Sequence, residues 1–466
     1  MEERGLTMIS EDLAKGQYRA VHRRNVHTLP QWEHLDPELK EAVLVVSAVL
    51  PFRTNRYVTD ELIDWGRVPE DPIYQLTFPQ RGMLDEDDYR EIRNLLLSDT
   101  ERETLHLAVN RIRYRLNPHP AGQLTHNVPR LFGRELHGIQ HKYRETVLFF
   151  PSQGQTCHAY CTFCFRWAQF VGLEDLKIAT SEADQLAAYV QANPSITDVL
   201  ITGGDPMVMK ASLLERYIKP LLNVPNIRSV RIGTKSLAYW PARYLTDSDS
   251  DEVLRLFESV VASGRHLALM AHVSHPVELE TETARKAIRR VLNTGAIIRM
   301  QSPVLRHIND SAAEWAEMWR TGVNLGCIPY YMFVERDTGA RDYFKMPLVR
   351  CWNIFRNAYQ QVSGLARTVR GPSMSCFPGK CHLLGVTEIG NQQVFALEFL
   401  QAREPDLVRR PFFARYDPRA TWYDELQPFS KADEPFLIKT PTAERKSLFG
   451  DGSEEDNIRG GLFESN

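Results

Sequence analysis

Residues 146–164 read Thr146-Val-Leu-Phe-Phe150-Pro-Ser-Gln-Gly-Gln-Thr-Cys157-His-Ala-Tyr-Cys161-Thr-Phe-Cys164. The first five are β-rich and apolar, as in a buried strand. A loop follows with cysteines spaced C-x3-C-x2-C. Three thiolates on one compact loop suit three irons of a four-iron cluster and leave the fourth iron open. An open iron can chelate a small molecule, much as an open zinc position accepts water. Two plainer readings compete. One is three unrelated buried cysteines. The other is a structural zinc site, for which His158, on the same loop, is a badly placed fourth ligand.

Outward from this stretch, short β-rich runs recur at 197–202, 229–232, 267–273, 296–301 and 327–333. Helical stretches separate them. Ser181 starts one, with Leu186, Tyr189 and Val190 as its apolar face; Ser212 and Glu215 form a capping-box signature for the next. Six strand–helix units predict a parallel sheet with helices outside, as a full or partial barrel. Chemistry in such barrels sits on loops at the C-terminal strand ends. The second of those ends carries Val199-Leu-Ile-Thr-Gly203-Gly204-Asp205-Pro206. Its glycines allow close backbone approach to a ligand, although a simple turn reads the same way.

The rest of the chain frames this unit. Residues 1–28 are polar and expected to be loosely ordered. Residues 29–142 read as mostly helical, with helices at 39–50 and 85–97, a connection at 68–79 and an irregular bridge at 119–142. The barrel is expected over 143–372. A C-terminal segment, 373–439, contains a hairpin, and an acidic tail, 440–466, is expected to be disordered. Arg111, Arg113 and Arg115 read as a solvated or interface helix face.

The 466 residues carry a net charge of −3, with 43% hydrophobic and 25% charged residues. That balance speaks against nucleic-acid or anionic-membrane partners. The longest apolar run, 42–52, is too short for a membrane span. Met-Glu-Glu-Arg at the start lacks a secretory pattern, so a cytoplasmic protein is expected. Seven cysteines, three of them clustered, make a disulfide framework a poor reading.

The cysteine spacing resembles the radical S-adenosylmethionine (SAM) superfamily. A longer series resembles the lysine 2,3-aminomutase family in order: Tyr143-Arg-Glu-Thr146, Thr202-Gly-Gly-Asp-Pro206, Val230-Arg231-Ile-Gly233-Thr234, His272-Val-Ser-His275-Pro276, Gln301-Ser302-Pro-Val-Leu-Arg306-His-Ile-Asn309-Asp310 and Pro329-Tyr330-Tyr331. The resemblance implies a partial (βα)6 barrel with a helical N-terminal extension and a C-terminal segment. It implies a 4Fe-4S cluster on Cys157, Cys161 and Cys164, and SAM beside Gly203, Gly204, Asp205, His272 and Gln301. It also implies pyridoxal 5′-phosphate (PLP) on Lys380, and Arg166 against the substrate carboxylate. The activity implied is radical migration of an amino group from Cα to Cβ of an amino acid. An electron donor such as a flavodoxin or ferredoxin, and a homo-oligomer, are further expectations.

The chain also departs from that family. The glycine run before the PLP lysine is absent, so Lys380 also reads as an ordinary loop lysine. Lys142 and Thr146 stand where the family places arginines near the PLP phosphate. The acids that read a distal ammonium fall on Arg336 and near Arg370, which favours an acidic or otherwise carboxylate-bearing amino acid. The family's C-terminal zinc cluster is missing, and Cys376 and Cys381 read as buried thiols. A satisfied core histidine remains a reading of His272, and a surface arginine one of Arg166. The rivals are a PLP-independent radical SAM enzyme acting on a small molecule or peptide and, more remotely, a non-catalytic iron–sulfur protein.

Overall fold

A computed structural model of the chain describes residues 18–98, 101–117, 125–173 and 177–438. The expectations for 1–17 and for the tail 440–466 lie outside these residues. Among the described residues, no helix is long and apolar enough to cross a membrane.

One eleven-stranded sheet organises the molecule. Its strands are β1 (Ile139–Tyr143), β2 (Thr146–Phe149), β3 (Asp198–Ile201), β4 (Ser229–Thr234), β5 (His266–His272), β6 (Ile297–Val304), β7 (Ile328–Val334), β8 (Arg370–Ser375), β9 (Gly379–Ile389), β10 (Gln392–Ala402) and β11 (Phe412–Arg415). Strands follow one another in chain order. β2 through β8 are parallel; β1 and β9–β11 add antiparallel edges. The six runs read from sequence are β2–β7. They were legible because each carries a short β-rich stretch with apolar residues between helical segments.

Helices return the chain between parallel strands: α4 (Ala183–Ala192), α5 (Ala211–Leu222), α6 (Ser250–Ala262), α7 (Glu282–Asn293), α8 (Ala312–Asn324) and α9 (Leu348–Gln360). In α5, Leu214, Tyr217, Ile218 and Leu221 recur at helical spacing and are buried. Ala284, Ala287, Ile288 and Val291 do the same in α7, capped by the Thr281 side chain. The sheet curls into a partial barrel. Near its gap, the Lys142 amine donates to the Cys376 carbonyl, and Arg403 reaches Asn127.

A second core belongs to the N-terminal region. It is built by α1 (Pro37–Val49), α2 (Glu86–Leu97) and α3 (Arg102–Leu116). Arg113 caps α1 by donating to the Val49 and Ala48 carbonyls, while Arg111 and Arg115 pair with Glu91 and Asp88 of α2. The arginine row is therefore a helix–helix interface.

Several local expectations change. Residues 20–22 are not loose but pair antiparallel with 53–55. The 68–79 connection contains a fully buried helix, Pro72–Thr77. The 119–142 bridge ends in strand β1. Ser212 does not cap α5; the Ala211 amide donates instead to Asp249, from a distant turn. Lys380 opens strand β9 rather than sitting on a loop.

Candidate functional site

The cysteine loop leaves the end of β2. Its three thiols are free, and burial raises Cys157 well above its ordinary value, Cys161 to about 12 and Cys164 to about 11. Such thiols become thiolates only with a cation to bind. Tetrahedral thiolates on one zinc lie about 3.8 Å apart, given Zn–S bonds of about 2.3 Å. The three sulfurs here do not all fall within 4.8 Å of one another; the described residues that do are Cys157, His158 and Asp205. That spacing is wider than the one a single zinc ion imposes on its thiolates.

The glycine pair of 199–206 packs against this loop. The Gly204 amide donates to the Gly154 carbonyl at 3.0 Å, and the Asp205 amide to that of Thr156 at 2.7 Å. A Cβ on Gly204 would stand 2.2 Å from the Thr156 carbonyl oxygen, and one on Gly203 2.3 Å from Gln155 Nε2. Gly203 also has φ +148°, in the range that favours glycine. The glycines are thus demanded by the approach of one loop to the other.

Asp205 turns inward. Its carboxylate accepts from Thr234 Oγ1 (2.8 Å), the Met207 amide (2.9 Å) and the Lys235 amide (2.8 Å), and pairs with His158 Nε2 at 2.9 Å. Both oxygens are occupied by the protein. The carboxylate thereby ties the cysteine loop to the ends of β3 and β4.

His272, Gln301, Tyr331 and Arg370 stand in register across β5, β6, β7 and β8. His272 stacks on Phe163 of the cysteine loop, centroids 5.6 Å apart. Its Nδ1 is buried without a partner, and burial lowers its pKa to about 3, so the ring is neutral.

Basic side chains gather in two groups. In the first, the Lys380 amine lies 4.1 Å from the Tyr331 ring centre and has no hydrogen-bond partner among the described residues. Burial, with Arg231, Arg370 and Lys142 nearby, lowers its pKa to about 7. Arg370 stacks on Tyr330 and Tyr331. Arg231 is held by Asp198, which also accepts from Thr146. Lys142 too is lowered to about 7, chiefly by burial.

In the second group, Arg166 lies over Phe150 (4.6 Å) and Phe165 (4.9 Å). Arg336 lies over the same Phe165 ring at 5.5 Å and over Trp422 at 5.7 Å. Arg336 is tied to Asp337 through Nε at 3.3 Å, while its Nη2 is buried without a partner. Burial pushes the Glu335 carboxyl alongside well above the carboxylate range. Arg370, expected beside Arg336, instead joins Lys380.

Sequence reasoning missed Arg231, Phe165 and Tyr331 as parts of this lining. Arg231 had one signal: it is the one charged residue of central strand β4, flanked by Val230 and Ile232.

No family model matches the chain. Among curated proteins, it is 31% identical over 394 residues to an Aquifex aeolicus protein described as "Putative L-lysine 2,3-aminomutase", covering 84% of this chain and 92% of that one. It is 26% identical to the L-lysine 2,3-aminomutase of Bacillus subtilis, covering 65% and 67%. It is 28% identical to that of Escherichia coli, covering 50% and 66%. Among solved structures, a radical SAM methyltransferase from Sphaerobacter thermophilus aligns at 17% identity with a TM-score of 0.34, covering 50% of this chain and 68% of that one.

Proposed function

The chain belongs to the lysine 2,3-aminomutase family of radical SAM isomerases, and on that premise we propose that it is a PLP-dependent amino-acid 2,3-aminomutase. The observation that carries the reading is the Lys380 amine, half-buried, without a hydrogen-bond partner among the described residues and with its pKa lowered to about 7, so that about half of it is uncharged at pH 7. An uncharged lysine amine is the form that attacks a carbonyl carbon.

Cys157, Cys161 and Cys164 would hold three irons of a 4Fe-4S cluster, and the segment Gly203-Gly204-Asp205, with His272 and Gln301, would line the SAM site. When bound, the cluster and SAM supply a 5′-deoxyadenosyl radical, and PLP carries the migrating nitrogen. The protein positions, neutralises and shields. Arg231, Arg370 and Lys142 offer positive charge to a phosphate beside Lys380. Arg166, with no acid partner among the described residues, presents a planar fork to the substrate α-carboxylate. The free Nη2 of Arg336 supports a second carboxylate at the far end of the substrate, so an acidic amino acid is the expected substrate.

The test is borohydride treatment of anaerobically purified, cluster-reconstituted protein loaded with PLP. Mass spectrometry is expected to find a pyridoxyl adduct on Lys380. Turnover of glutamate over lysine is expected; turnover of lysine alone would sink the acidic-substrate reading. The second reading, a PLP-independent radical enzyme, is favoured by Thr146, whose hydroxyl is spent on Asp198, and Lys142, whose amine donates to the Cys376 carbonyl. SAM cleavage without any adduct would select it.

A further inference from the structure

The cysteine loop leaves the barrel but packs with another part of the molecule. Its apolar residues Ala159, Phe163, Trp167 and Ala168 belong to the core of the N-terminal region. Its backbone is also held from that side. The Tyr160 amide donates to the Arg53 carbonyl at 2.7 Å, and the Thr162 amide to that of Leu76 at 2.9 Å. The His158 carbonyl accepts from Tyr18 Oη at 2.9 Å and from Asn55 Nδ2 at 3.3 Å.

Arg53 has a special place in this grip. It sits on the short strand 53–55, so its backbone is fixed by pairing with 20–22. Its Nη1 donates to Thr156 Oγ1 at 2.8 Å and to the Cys157 carbonyl at 3.1 Å, and its guanidinium lies 5.2 Å from the Tyr160 ring centre. No carboxylate pairs with it among the described residues. It therefore delivers a whole positive charge, not an ion pair, to the first cysteine of the triplet.

We infer that Arg53 is a positioning residue for the iron–sulfur cluster: it pins the backbone at Cys157, and its unpaired charge makes the cluster easier to reduce. Reduction adds one electron to a group already carrying thiolate charge. A fixed cation alongside stabilises the added charge, and hydrogen bonds, net charge and exposure are what set such potentials. The inference rests on the reading that Cys157, Cys161 and Cys164 hold a cluster.

The test uses full-length, reconstituted protein and two variants. Arg53→Gln retains an amide donor and removes the charge. Arg53→Lys keeps the charge and loses the fork. Redox titration, followed by the electron paramagnetic resonance signal of the reduced cluster, gives the midpoint potential. Iron release to a chelator gives the hold on the loop. Arg53→Gln is expected to shift the midpoint to more negative potential, and Arg53→Lys to restore it towards the parent. Both are expected to lose iron faster, by about tenfold or more, as for other residues that orient ligands. A parent-like midpoint and iron release in Arg53→Gln would overturn the inference with the cluster reading intact. Faster release with an unmoved midpoint in both variants would overturn the electrostatic half, leaving only a structural contact. A wild-type protein that takes up no cluster would overturn both readings together.

Discussion

Lys380 shows how a single residue acquires chemistry from its surroundings. A lysine in water is protonated up to about pH 10.4. Here burial removes solvation from the ammonium, and Arg231, Arg370 and Lys142 add like charge, so the pKa falls to about 7. Both effects disfavour the charged form, hence the downward sign. Across pH 6 to 8 the uncharged fraction then rises about tenfold and levels off above that range. The rate at which apoprotein captures PLP, followed by absorbance, is expected to trace that curve. A rate still climbing at pH 10 would mean that the amine is solvated and the site open. Lys380→Arg is expected to abolish capture at every pH. The linked stability has a fixed sign too. The unfolded chain binds a proton that the folded one sheds, so Lys380 lowers apoprotein stability below about pH 7, and the cost fades as pH rises towards the unfolded value.

At the scale of elements, the site is a contact between two loops, and Gly204 is its tightest point. An alanine there cannot fit without moving the Thr156 carbonyl. Gly204→Ala is expected to destabilise the protein by more than about 1 kcal/mol. It is also expected to weaken SAM binding, measured by equilibrium dialysis, and cluster retention, measured by iron content. Gly364→Ala is the control, since nothing lies within 4 Å of its added Cβ; its SAM affinity is expected to be unchanged. Equal behaviour of the two variants would mean that the loop apposition does not shape the site.

The same scale explains what was legible in the sequence. β2–β7 were, because each carries short β-rich apolar stretches between helical segments, and the cysteine triplet was, because its ligands are neighbours in the chain. The helix Pro72–Thr77 was not: six residues hold too few turns for a periodic signal, and all of them are buried. Strand β8 was hidden by Gly371 and Pro372, which read as a turn but lie in a strand. The cap of α5 was missed because Asp249 comes from a distant turn. The pairing of Arg166 with Arg336 over one aromatic ring, and of Arg370 with Lys380, depends on curvature that no local window contains.

At the scale of the whole molecule, no strand pairing closes the barrel among the described residues. Its first strand, β1, and the turn between β8 and β9 meet through side chains. Arg403, just after β10, brackets this seam. Its Nε donates to the Phe377 carbonyl at 3.0 Å, its Nη1 to the His126 carbonyl at 3.3 Å, and its Nη2 to Asn127 Oδ1. The Asn127 carbonyl in turn accepts from the His141 amide of β1 at 2.8 Å. One guanidinium thus ties the C-terminal extension to the start of the barrel, next to Lys142 and Lys380. Hydrogen bonds from a charged donor contribute about 1.5–3 kcal/mol each when partly buried, and truncation leaves acceptors unpaired. Arg403→Ala is therefore expected to lower stability by about 2 kcal/mol or more. The loss should be local before it is global. Amide exchange is expected to quicken first in β1 and at 376–380, while β4–β6 keep their protection. PLP capture at Lys380 should weaken in parallel, because the seam borders that group. Uniform acceleration across all strands would instead mean that the extension supports the barrel as one cooperative unit, with no weak point at the seam.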